Sequence, residues 1–176
     1  MGFYFHSLEL LTVLLLLQAF WQILLLRKSP ETIPYSRFLL GFTLILHLLI
    51  GISFGVINQP VTTALIFATS GTGLVVSGTY LLLALYGVRS RLLQTVTAMA
   101  GCESLIGLMA LPVNVWLHSV DKANAALPGM LSLLLLGWNM AVVAHIWRHA
   151  LSVQLWLGYL YAIGYVIVSF LLASLF

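Results

Sequence analysis

The sequence predicts an all-α, polytopic membrane bundle of six transmembrane helices, with the N-terminus and C-terminus both on the outer side. Three observations lead there. Of 176 residues, 62% are hydrophobic and 6% are charged, whereas soluble domains carry about 25% charged residues. Apolar runs such as residues 14–17 and 131–136 lack the in-out alternation of a barrel strand. In hydrocarbon a helix satisfies its own backbone, so a helical bundle is what remains. Finally, the basic residues fall almost wholly in loops of one parity, which sets the threading.

A span needs about 20 apolar residues. The first is expected at residues 5–26 and ends at the charges and proline of Arg27, Lys28 and Pro30. The second is expected at 38–57, turned by Asn58, Gln59 and Pro60. The third is expected at 62–87 and the fourth at 92–117. A polar loop with Asp121 and Lys122 follows, then a fifth span at 127–146, a tight turn at Arg148 and His149, and a sixth span at 155–176. Arg27, Lys28, Arg37, Arg89, Arg91 and Arg148 lie in odd-numbered loops, and Lys122 alone lies in an even one. Cytoplasmic loops carry the Lys and Arg excess, so the odd loops are expected inside. The first ten residues lack a basic n-region, and a retained span is expected there instead of a signal peptide. Residues 1–34 form a first helix and linker, and residues 35–176 a five-helix membrane domain.

Small residues suggest where helices approach closely. Gly51 and Gly55 stand four apart on the second span, Gly73 stands between Thr69 and Ser77 on the third, and Gly101 marks the fourth. Such spacings let backbones touch in lipid. Pro112 near the outer end of the fourth span removes a helical donor, so a kink is expected there.

Two groups of polar residues could carry function. Glu103 and His47 fall near the middle of the fourth and second spans. Ionisable groups at that depth are costly and functional by default. If they touch, they could share a proton; the alternative is a hydrogen bond that only fastens helices. The second group lies at the inner ends of the fourth and fifth spans: Arg89, Arg91, Gln94 and Thr95, with Asn139, His145 and Arg148. These could contact anionic headgroups or a protein partner, or serve only as stop-transfer charge and helix caps. Residues 89–112, which join both groups, form the stretch with most to say. No two histidines share a depth, so no haem or other cofactor is expected, and the scatter of ligand-type residues predicts no metal site. One cysteine, Cys102, rules out an intrachain disulfide. A net charge of +3 spread over short loops does not suggest nucleic-acid binding.

The string RLLQTVTAMAG followed by MALP, and the string WNMAVVAHIWRHAL, resemble spans of bacterial membrane proteins in the Yip family, whose eukaryotic members interact with Ypt/Rab GTPases. The matching positions are Arg91, Gln94, Thr95, Trp138, His145 and Arg148. The resemblance covers residues 35–176 and implies five spans, a cytoplasmic start and a non-enzymatic inner-membrane role. The apolar N-terminal segment and Glu103 depart from the family pattern. The leading expectation is a non-enzymatic protein of the bacterial inner membrane that organises membrane components through its inner-face residues. Lipids and a protein partner, or a second copy of the chain, would be its contacts. The alternative is a small proton-linked transporter using Glu103 and His47. A third possibility is a lipid- or small-molecule-binding subunit of a larger complex.

Overall fold

A computed structural model describes the backbone of residues 2–174 and the side chains of residues 13–174. It contains six α-helices: α1 (Gly2–Leu24), α2 (Arg37–Gly55), α3 (Val61–Leu85), α4 (Leu92–Ser119), α5 (Ala126–Leu151) and α6 (Leu155–Ala173). Short 3₁₀ turns at Pro30–Thr32, Arg89–Arg91 and Lys122–Asn124 join them. Five helices, α2 to α6, are long and apolar enough to cross a membrane. Large apolar side chains such as Phe38, Leu85, Leu134 and Phe170 stand fully outward. That surface is suited to lipid, and the chain is an integral membrane protein.

The first predicted span is only partly testable. The described apolar side chains of its helix, Val13–Leu24, are too few to cross a bilayer by themselves. The side chains of the first half of that span lie outside those described. The helix does not stand apart from the rest: Phe20, Ile23, Leu24 and Ile33 of residues 1–34 pack into the same core as α4 and α5.

Helix α4 is the axis. Half of its span is buried, against 11–17% for the other four, and it packs on α1, α2, α3 and α5. The core is lopsided along the bundle. Residues 95–102 of α4 and 142–147 of α5 are buried without a break, whereas Leu108, Val115, Leu127, Met130 and Leu133 are exposed. The solid core therefore occupies the end that carries the basic loops, and the opposite half is open. Hydroxyls within the solid half turn back on their own helices: Thr95 donates to Arg91 O at 2.8 Å, Thr97 to Leu93 O at 2.7 Å and Ser104 to Ala100 O at 2.6 Å. Each donor is thereby satisfied without a partner helix or water.

One helix end corrects an expectation. The turn expected at Arg148 and His149 falls later, because α5 continues to Leu151. Ser152 then adopts a left-handed conformation, φ 56°, and returns its N–H to His149 O while Val153 bonds Arg148 O. The basic pair in the last turn favours that C-terminal extension through the helix dipole. Helix α3 ends the same way at Gly87, φ 71°, where glycine carries no Cβ penalty. Pro112 lies inside α4, which is one helix from Leu92 to Ser119.

The small-residue expectation divides. A Cβ at Gly55 would lie 2.6 Å from the Cβ of Ala64, and one at Gly51 3.0 Å from that of Ala68, so α2 and α3 meet through these glycines. A Cβ at Gly101 would overlap the Phe20 ring, which seats α1 on α4. Gly73 does not take part, since it faces open space. Gly55→Val therefore destabilises the bundle by about 1–3 kcal/mol through overpacking, while Gly73→Ala leaves it unchanged. Thermal unfolding of the two variants in detergent checks the contrast, and equal midpoints would refute the assigned α2–α3 contact.

Candidate functional site

The mid-span pair meets. His47 Nε2 lies 3.0 Å from Glu103 Oε2, joining α2 to α4. The other contacts determine where the hydrogens go. Thr72 Oγ1 donates its single hydrogen to Ala68 O at 2.9 Å, so it accepts from His47 Nδ1 at 3.0 Å. Nδ1 therefore carries a hydrogen. The Nε2–Oε2 contact then holds one proton, written either as imidazolium and carboxylate or as imidazole and carboxylic acid. Tyr165 on α6 donates to the same Oε2 at 3.2 Å. Three helices, α2, α4 and α6, thus meet at one carboxylate, and α3 joins them through His47.

The Glu103 side chain is 8% exposed and that of His47 17%. Glu103 Oε1 is buried and has no hydrogen-bond partner among the described residues. It borders a cavity of about 680 Å³ in the open half of the bundle. Ile50, Phe54, Phe67, Ile106, Leu135 and Phe170 make much of its wall. His47, Glu103 and Tyr165 supply its titratable groups, and no Lys, Arg or Asp lines it. Asn139 also borders this cavity, with a buried Oδ1 that lacks a partner among the described residues. This corrects its placement at the inner face. Because α5 runs to Leu151, Asn139 stands twelve residues, about 18 Å of helix, from that end.

The expected inner-face residues do gather at one end of the bundle, but several point inward. Arg91 Nη1 reaches His149 O at 3.3 Å, Ala150 O at 3.0 Å and Ser152 Oγ at 3.0 Å, and pairs with Glu31 at 3.4 Å. Gln94 donates to Ile33 O at 2.7 Å, His145 to Lys28 O at 2.9 Å and Trp138 to Leu24 O at 2.9 Å. Thr95 is buried. Gln94, His145 and Trp138 thus clasp carbonyls of the segment that leaves α1, while Arg91 caps the last turn of α5. Arg89 stays exposed and lies over the Tyr80 ring, 5.6 Å from its centroid; Arg148 is half-buried. At the opposite end Asn58 Nδ2 donates to His118 Nε2 at 2.8 Å, joining the second and fourth loops.

Thr72 and Tyr165 did not stand out in the sequence. Tyr165 lies mid-helix, away from the interfacial belt where tyrosine is usual, and that position is the signal it offered. Thr72 had none, since membrane helices hold many threonines that bond only their own backbone.

Comparison with known proteins adds no relative: no family model, no curated protein and no solved structure matches this chain. The resemblance to the Yip family rests on the two short strings alone.

Proposed function

We propose that the chain is a small non-enzymatic carrier of the bacterial inner membrane that couples solute movement to proton movement through His47 and Glu103. The observation that supports this most is the 3.0 Å contact of His47 Nε2 with Glu103 Oε2 beside a largely apolar cavity, with the other carboxylate oxygen unpartnered among the described residues. A carboxylate and imidazole inside a membrane bundle can gain and lose a proton as a solute comes and goes. Proteoliposomes with an internal pH indicator test it, using butylguanidinium, butylurea and butanesulfonate as probes. A pH change that requires both protein and probe is expected for at least one of them. If none produces it, the carrier reading fails.

In this reading the basic end is cytoplasmic and both termini lie outside. Contacts among residues 24–33, 91–94 and 145–152 bring three loops with basic residues to one end of the bundle, which supports that orientation. Cysteines at positions 28, 89 and 148 should label from inside and one at 122 from outside; the native Cys102 is buried. An inside label at 122 would overturn the threading.

A second reading has its own support. Arg27, Lys28, Arg37 and Arg89 are exposed near the same end, as a protein that organises membrane components through anionic lipid or a partner would need. Crosslinking from positions 89 and 148 tests it. Capture of bulk lipid alone would count against a protein partner.

A further inference from the structure

We infer that the cavity recognises an organic cation with an apolar body and N–H donors, an ammonium or guanidinium, which displaces one proton as it binds. The inference rests on the carrier reading and names its substrate class.

Charge separates the possible guests. Tyr165 directs its hydrogen to Glu103 Oε2. Ser132 directs its hydrogen to Pro128 O and Ser169 to Tyr165 O. The Nδ1 hydrogen of His47 goes to Thr72. Asn114 and Asn139 line the cavity with amides that can donate as well as accept. Glu103 borders the cavity, its Oε1 is buried without a partner among the described residues, and a guest with N–H donors would satisfy it. An anion would meet a carboxylate with no lysine or arginine in the wall to offset it. An uncharged donor would satisfy Oε1 but would have no reason to move a proton.

Charge balance supplies the coupling. With the guest absent, the negative charge of Glu103 is balanced by the proton held against His47. A cation on Oε1 would leave two positive charges beside one carboxylate in an apolar cavity, which is strongly unfavourable. The pair relaxes by releasing the Nε2 proton, leaving a neutral imidazole, the carboxylate and the bound cation. One positive charge enters and one leaves, with no covalent bond between heavy atoms made or broken. The titratable groups facing the site from the surrounding helices are His47 from α2, Glu103 from α4 and Tyr165 from α6, and no other ionisable side chain among the described residues lines the cavity. The aliphatic and phenylalanine walls accept the apolar body and exclude a small hydrated ion, which they could not coordinate.

Equilibrium binding to the purified protein in phosphatidylcholine nanodiscs tests this, with a pH indicator in weak buffer. Butylguanidinium stays charged and presents N–H donors; butylurea has the donors without the charge; butanesulfonate has the opposite charge. Butylguanidinium should bind saturably and release about one proton per molecule bound, with the other two binding at least roughly tenfold more weakly. Glu103→Gln should weaken butylguanidinium roughly tenfold or more and suppress proton release; Asn139→Leu should weaken binding while sparing the release. Thermal unfolding identifies any variant that fails to fold, and Glu103→Asp then serves as the second test, with binding weakened and proton release retained. Butylguanidinium that fails to bind saturably, binds without proton release or ignores Glu103→Gln overturns the inference. So does equal or tighter binding of butylurea or butanesulfonate. If one of those two also drives pH change in proteoliposomes, the carrier reading survives and only the substrate class falls.

Discussion

Glu103→Gln should abolish probe-driven proton movement in proteoliposomes while leaving the bundle assembled. Gln occupies nearly the same volume, so the packing of α4 against α2 and α6 is preserved. Its amide can still donate to His47 Nε2 or accept from Tyr165. It cannot take up a proton or carry the negative charge that balances one. Removing one member of a buried, hydrogen-bonded ion pair costs about 3–5 kcal/mol, and a loss of that size in binding the transported species lowers flux by about a hundredfold or more. The stability change should be smaller, about 1–2 kcal/mol, because one or two charge-assisted hydrogen bonds become neutral ones. The two measurements together separate the roles. Flux that persists in Glu103→Gln, with only the unfolding midpoint lowered, would make the His47–Glu103–Tyr165 contact a helix fastening and nothing more.

Arg91→Ala should produce the largest loss of stability among alanine substitutions of the charged residues at the basic end. The guanidinium reaches two carbonyls of the last turn of α5, the Ser152 hydroxyl and Glu31, and so fastens the start of α4, the end of α5 and the linker after α1. Its side chain is 34% exposed and Glu31 is 52% exposed, so the ion pair itself contributes little. The hydrogen bonds to the carbonyls at the end of α5 and to Ser152 matter more, and their loss should destabilise the protein by about 2 kcal/mol. Arg91→Lys should recover only part of that, since an ammonium on a flexible stem lacks the planar fork that spans several acceptors. Thermal unfolding, with limited proteolysis between residues 24 and 37, reads both effects. An unchanged midpoint and an unchanged cleavage rate would mean that the clasp does not hold the linker, and would return Arg91 to the pool of residues free to meet a partner.

The two clusters show why some of the site was legible in the sequence and some was not. Glu103 and His47 announced themselves because a titratable group amid twenty apolar residues is conspicuous in one dimension. Their partners did not. Thr72 and Tyr165 are ordinary residues of membrane helices until the fold aims one at His47 and the other at Glu103. Asn139 was misplaced because its depth depends on where α5 stops, and that end is decided by a left-handed Ser152 and by Arg91 reaching across from another helix. Gly73 had the same credentials as Gly51 and Gly55, but spacing gives a helix face without saying whether another helix covers it.

The sequence by itself determined the solvent and the class of architecture. Hydropathy requires lipid, lipid requires backbone satisfied within each helix, and five of the six expected segments are helices long enough to cross it. Charge in the loops argued for an orientation. Only the tertiary structure decided which helix is central, which polar groups are committed and which remain available. Those outcomes depend on contacts between residues far apart in the chain, such as His47 with Glu103 and Arg91 with Ala150. A local pattern constrains each helix separately; the depth, direction and pairing of its polar atoms are set only when the helices meet.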